Sequence, residues 1–294
     1  MHSVNIRIAD IVTRVEWERD DLLPHLDDAE SKFLCEPSEP DFLMTVRVGE
    51  LPHLEVTRNL FECVTWRLDE TPDGRLLSLG SQRRDPLPFR VIELNYEVTR
   101  ATMYLRDDLA GRAPEGSPPG TFLPFEYPGM ELILYWRLVR ERGLGLHAAG
   151  IIAEGEGLLL SGMSGAGKST LSEVWQSRGA TVLSDDRIGV RPDGDGYRMY
   201  GTPWHGTLRV CDPSDERLRA ILFLEHGERN ELESVEGVAA CAMLLARSFP
   251  PYFAGEDLSQ ALAAASEIIQ TVPCYALKFV PDASAIDFIN QALA

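Results

Sequence analysis

The chain has 294 residues, 44% of them hydrophobic and 25% charged, which suits one large globular domain or two modest ones. Its formal net charge of −18 argues against nucleic acid or an anionic membrane surface as the main partner, because phosphate backbones demand a basic footprint. No apolar run is long enough for a transmembrane helix, and the opening MHSVNIRIADIV lacks the basic start and apolar stretch of a signal peptide, so the expected location is cytoplasmic.

Residues 1–128 read as a β-rich N-terminal domain. Alternating or β-branched segments fall at 4–8, 42–48, 61–68, 89–94 and 99–105, separated by turn signals such as Pro72-Asp73-Gly74 and Arg84-Asp85-Pro86. No catalytic constellation occurs here, and His25 and His53, single histidines near prolines, read as surface or loop residues. The stretch 113–120, APEGSPPG, reads as a linker-like loop. Cys35, Cys63, Cys211, Cys241 and Cys274 form no CxxC pair and read as buried reduced thiols rather than metal ligands or disulfides.

Residues 129–294 read as a second, mixed α/β domain. Apolar positions between 130 and 139 predict a helix stopped by Gly143. In LHAAGIIAEGEGLLLSG, two apolar segments at 146–153 and 157–161 flank Glu154-Gly155-Glu156, which predicts a hairpin whose second strand runs straight into a Gly-rich loop. A parallel strand is the commoner way into such a loop, so this entry suggests a variant core. A helix at 170–178 follows, then a buried strand at 180–184 ending on Asp185-Asp186 and expected to neighbour the loop in one sheet. Further strands are expected at 188–191, 197–200, 220–225 and 275–280, with helices at 235–248, 258–271 and the C-terminus.

The segment GMSGAGKST, residues 162–170, fits G-x-x-x-x-G-K-[ST], a pattern expected by chance in a chain of this composition with a probability of roughly 0.002. Gly162, Gly165 and Gly167, with Ser164 and Ala166 between them, allow the backbone to wrap so that N–H groups point at phosphates. The following helix, opening at Lys168, Ser169 and Thr170, adds its positive end. Only three lysines occur in the chain, Lys32, Lys168 and Lys278, the other basic residues being arginine. A flexible point charge suits the β- and γ-phosphates better than a planar guanidinium, which accounts for a lysine at 168. The hydroxyl of Ser169 is a candidate Mg²⁺ ligand. The expected cofactors are therefore ATP and Mg²⁺.

Asp185 and Asp186 end an apolar strand, where two adjacent carboxylates repel unless a cation or proton relieves them. Alternation along a strand allows one to face the metal and the other the attacking group. A helix cap or solvated turn is the other reading. His147, alone in LHAAG, is open to a structural or a functional reading.

Taken in order, LHAAGIIAEGEGLLLSG, GMSGAGKSTLS and GATVLSDDR resemble the HPr kinase/phosphorylase family, whose nucleotide-binding core is shared with the phosphoenolpyruvate carboxykinases. The resemblance covers residues 146–187. It implies a mixed-sheet P-loop kinase core, His147 near the phosphates, Lys168 on them, Ser169 and Asp185 at the metal, and Asp186 as proton acceptor. The family's later metal-binding glutamate has no counterpart in YGTPWHGT, which leaves Trp204, His205 or the distant Glu225 as substitutes, and the family's downstream arginine loop is not placed. The N-terminal half does not resemble that family's N-terminal domain. It is similar instead to HPr-kinase-like proteins of which some accompany peptide-modifying gene clusters.

The expected function is transfer of the γ-phosphoryl group of ATP to a hydroxyl, a serine of a protein or peptide. The alternatives are a small-molecule kinase and an ATP-sensing, partner-binding module without catalysis. The expected partners are a serine-bearing protein or peptide and, in a homo-oligomer, a second copy of the chain.

Overall fold

Alternation in IVTRVEW puts Ile11, Thr13, Val15 and Trp17 on one buried face, with Val12 buried on the other, and the same period recurs through the first third of the chain. In this computed structural model, residues 1–80, 87–106, 116–249 and 253–294 are described. Two compact units result, Met1–Ile133 and Leu134–Ala294. The turn at Arg84-Asp85-Pro86 and the first three residues of the 113–120 stretch lie outside the described residues.

The first unit contains β1 (His2–Ile8), β2 (Ile11–Trp17), β3 (Leu23–Pro24), α1 (Asp28–Ser31), β4 (Phe42–Gly49), β5 (Arg58–Glu62), β6 (Trp66–Thr71), β7 (Gly74–Leu79), β8 (Arg90–Asn95), β9 (Arg100–Arg106) and β10 (Thr121–Phe122). One eight-stranded sheet runs β1-β2-β4-β9-β8-β7-β6-β5, with β4 parallel to both its neighbours and every other pairing antiparallel. The segment 61–68 is not one strand. The chain reverses between β5 and β6, with the Cys63 amide donating to the Trp66 carbonyl at 3.0 Å. Alternating apolar residues continue through that reversal, and no Gly or Pro marks it. All five cysteines are free, but only Cys211 and Cys274 are buried; Cys35, Cys63 and Cys241 are half-buried.

After α2 (Gly129–Arg140), the second unit contains β11 (Leu144–Ala153), β12 (Glu156–Ser161), α3 (Lys168–Ser177), β13 (Thr181–Ser184), β14 (Arg187–Asp193), β15 (Gly196–Gly201), β16 (Asp215–His226), β17 (Glu231–Ser234), α4 (Gly237–Leu245), α5 (Gly255–Thr271), β18 (Cys274–Phe279) and α6 (Ala283–Leu293). This is a mixed α/β arrangement with mixed sheets. The two long strands each change partner along their length. Residues 144–147 of β11 pair with β14, and residues 148–153 pair with β12. Residues 215–217 of β16 pair with β15, and from Leu218 onward β16 runs parallel to β12. The path β12-β11-β14-β15-β16 therefore closes back on β12, while β18 and β17 extend from β16.

Period two also sorts the core. Leu159, Ile221 and Phe223 face α5 through Ala261, Ala264 and Ile268, whereas Leu158, Leu160, Leu222 and Leu224 face α3 and α6 through Leu171, Trp175, Ile286 and Ile289. The hairpin into the Gly-rich loop is present, and its second strand has in addition the parallel neighbour β16. The expected adjacency of the 180–184 strand to the loop strand is not found. β13 pairs with β11, which lies between it and β12. Both strands are equally apolar, so composition does not order them. Among the described residues, no helix is long and apolar enough to cross a membrane.

Candidate active site

The Gly-rich loop expected to bind phosphate leaves β12 at Ser161 and enters α3 at Lys168. Gly165 and Gly167 have φ of 83° and 94°, the left-handed region that favours glycine. A Cβ on Gly167 would sit 2.7 Å from Phe279 Cζ, and one on Gly162 would sit 2.7 Å from the Ala166 Cβ. The loop therefore lies flat against the end of β18 and folds tightly on itself. The first helical bond is Leu171 N–H to Gly167 O at 2.9 Å. The amides of Lys168, Ser169 and Thr170 thus have no carbonyl one turn earlier in the helix, and they carry its positive end.

The Lys168 side chain is 8% exposed and donates from Nζ to the Gly162 carbonyl at 2.8 Å. Burial, reinforced by the charges of Arg247 and Arg187, pushes its pKa down, while Asp185 pulls the other way. Ser172 Oγ donates to the Lys168 carbonyl at 2.9 Å, steadying the first turn. Ser169 is half-buried, and Ser164 and Thr170 are exposed.

The two aspartates have different surroundings. Asp185 is 2% exposed, and its two oxygens accept the backbone N–H groups of Gly206 (2.8 Å) and Leu208 (2.9 Å). A Cβ on Gly206 would come within 2.7 Å of Asp185 Oδ2, so the loop closes this tightly only with glycine there. Ser184 Oγ donates to the Trp204 carbonyl at 3.0 Å and accepts the amides of Asp186 and Arg187, both at 3.2 Å. The segment YGTPWHGT thus covers Asp185 with its main chain. His205 Nδ1 lies 3.1 Å from the Gly206 carbonyl. Glu225 stands at the end of β16, in register with Lys278, and its charge acts on Arg247.

Asp186 belongs to a cluster with two basic groups. His147 Nε2 lies 2.9 Å from Asp186 Oδ1, and Arg187 pairs with Oδ2. Strand register builds the cluster. His147 is opposite Arg187 in the β11–β14 ladder, and the Ala148 amide donates to the Asp186 carbonyl at 3.2 Å. Burial first, then the charges of Lys168 and Arg187, lower the His147 pKa to about 4. At neutral pH the ring is therefore uncharged and meets the carboxylate as a hydrogen-bond donor from Nε2. The expected repulsion between the aspartates is relieved separately, by backbone amides at Asp185 and by Arg187 with His147 at Asp186.

Two contributors were not expected from the sequence. The Arg247 carbonyl accepts the His147 amide at 2.8 Å, and its guanidinium lies over the Phe223 ring, 5.4 Å from the centroid. Arg187 lies 4.4 Å from the centroid of Phe249, which stacks on Tyr135 at 5.4 Å. The segment ARSF that carries both has one legible signal, an arginine and an aromatic directly after an apolar helix.

Among the described residues, no three His, Cys, Asp or Glu side chains gather as a metal cage. The donors present near the loop are the Ser169 hydroxyl and the Asp185 carboxylate, each oxygen of which keeps a lone pair beyond its amide bond.

No curated protein matches the chain. A solved structure, the Hpr(Ser) kinase/phosphatase from Coxiella burnetii, is similar over 50% of this chain and 94% of its own, at 13% identity and a TM-score of 0.33. Residues 129–293 match the profile of the family described as SynChlorMet cassette protein ScmC. That span is more than half of the 294 residues, and the chain belongs to the SynChlorMet cassette protein ScmC family.

Proposed function

We propose that the chain is an ATP-dependent phosphotransferase of the HPr-kinase-like type, acting from residues 129–294 on a hydroxyl, the serine of a protein or peptide. The observation that carries this reading is the His147–Asp186–Arg187 cluster, which stands close enough to the loop lysine, Lys168, for its charge and that of Arg187 to lower the His147 pKa. A loop that only sensed nucleotide would have no use for a second carboxylate held between a neutral imidazole and a guanidinium.

The residues present fit Mg-ATP. A Cβ would crowd its neighbours at Gly162 and Gly167, Gly165 opens onto free space, and the first amides of the helix offer a positive end that suits an anion. Mg²⁺ is held in such sites by one or two protein oxygens together with phosphate and water, which Ser169 and Asp185 suit. When bound, the nucleotide supplies the transferable phosphoryl group, and the metal ion neutralises charge on it.

The remaining roles belong to the chain. Lys168, now bonded to Gly162 O, provides a positive charge for the phosphate oxygens. Arg187 and Arg247 add positive charge near that lysine. Asp186 accepts the proton of the attacking hydroxyl. Neutral His147 orients that carboxylate through Nε2–H.

The deciding experiment is a γ-phosphoryl transfer assay against a lysate and against peptides encoded by neighbouring genes, read by phosphosite mapping. Transfer to serine supports the kinase. Tight Mg-ATP binding with no transfer to any acceptor would favour the sensor instead.

A further inference from the structure

The phosphate loop is held from outside by a residue that its motif does not contain. β16 runs parallel to β12, with Leu160 beside Leu222 and Ser161 beside Phe223, so its C-terminal end arrives next to the loop. The last residue of β16, His226, has Nε2 2.7 Å from the carbonyl oxygen of Gly165. A carbonyl only accepts, so the ring donates from Nε2. On the other side of the same peptide bond, the Ala166 amide donates to the Met163 carbonyl at 3.0 Å. One planar peptide unit is thereby fixed at both ends. It sits between Gly165 and Gly167, the two glycines whose left-handed backbone gives the loop its curvature.

We propose that His226 is a positioning residue that sets the phosphate loop in its anion-receiving shape before any ligand arrives; the consequence for binding rests on the nucleotide reading of that loop. A loop with this many glycines has many accessible shapes, and a ligand would otherwise bear the entropy of selecting one. The bond uses a carbonyl, which no phosphate oxygen can use. It therefore orders the loop without taking a place in the cradle. The ring is exposed, so removing it leaves no hole in the core.

The test compares the full chain with His226→Ala, which removes the donor, and His226→Gln, which keeps an N–H donor. In ligand-free protein, amide hydrogen exchange over residues 163–167 should be faster in His226→Ala and near the parent rate in His226→Gln. Dissociation constants for Mg-ATP and for inorganic tripolyphosphate should both rise about tenfold in His226→Ala, the effect of losing one ordering hydrogen bond. They should stay within about twofold in His226→Gln, with ligand-free melting temperatures unchanged. Parent-like exchange and affinity in His226→Ala would overturn the proposal, and so would equal losses in both variants. A parent that binds neither ligand removes the nucleotide reading alone, because the ligand-free exchange still decides whether His226 holds the loop.

Discussion

His147 Nε2 and Asp186 Oδ1 lie 2.9 Å apart at the point where β11 passes from pairing with β14 to pairing with β12 and β13. The ring is held neutral there by burial and by two nearby cations, so the contact combines a proton donor with a carboxylate.

Stability should therefore depend on pH in a definite direction. His147 has its pKa lowered from 6.5 to about 4 in the folded chain, so between those values the unfolded chain binds the extra proton. The contribution of His147 is present above about pH 6.5 and is lost as the pH falls toward 4. Urea denaturation of the parent at pH 7 and pH 5, set against His147→Gln, should show a larger loss in the parent. Equal losses would mean that His147 is not the group responsible.

The two aspartates should respond differently to amidation. Asp186→Asn should bind Mg-ATP like the parent and lose about 10²–10⁴ in transfer rate, the usual value of general-base assistance. Asp185→Asn replaces one of two acceptor oxygens with an NH₂ group facing the amide of Gly206 or Leu208. It should cost about 1–3 kcal/mol in stability even without ligand, as well as weaken the dependence of transfer on Mg²⁺. Parent-rate transfer by Asp186→Asn would remove the base assignment.

Lys168→Ala should keep the fold and lose ligand stabilisation. A ligand at about 100 times its dissociation constant raises stability by about 2.7 kcal/mol. A melting shift with Mg-ATP in the parent and none in the variant is the expected result. Absence of any shift in the parent at millimolar Mg-ATP would contradict nucleotide binding at this loop.

Gly206→Ala should act directly on Asp185, since the new methyl would approach Asp185 Oδ2 to 2.7 Å. The cost expected for such crowding is about 1–3 kcal/mol. Gly255→Ala, at the start of α5 with no atom within 4 Å of the new Cβ, is the control and should be nearly neutral. Similar melting temperatures for the two variants would show that the 202–208 loop yields easily.

The parts of the site legible in the sequence are those made by neighbours along the chain. GMSGAGKST declares its own geometry because φ, helix start and lysine all fall within nine residues. The hairpin before it, and the strand before Asp185, follow from apolar runs and their turns. Strand order was not legible, since β11, β12 and β13 are alike in composition. Nor was the cover over Asp185, which is made by backbone N–H groups that every residue except proline carries. Arg247 and Phe249 were missed because their roles depend on where α4 ends, which no local pattern fixes.

The hand-over along β11 makes one strand carry both edges of the candidate site. Its first residues hold β14 and its later residues hold β12, so a slip of β11 by one position against either neighbour would move His147 relative to Arg187 and to the Gly-rich loop at once. The register of this single strand therefore couples the loop to the cluster around Asp186, and a change that loosens one edge should be felt at the other.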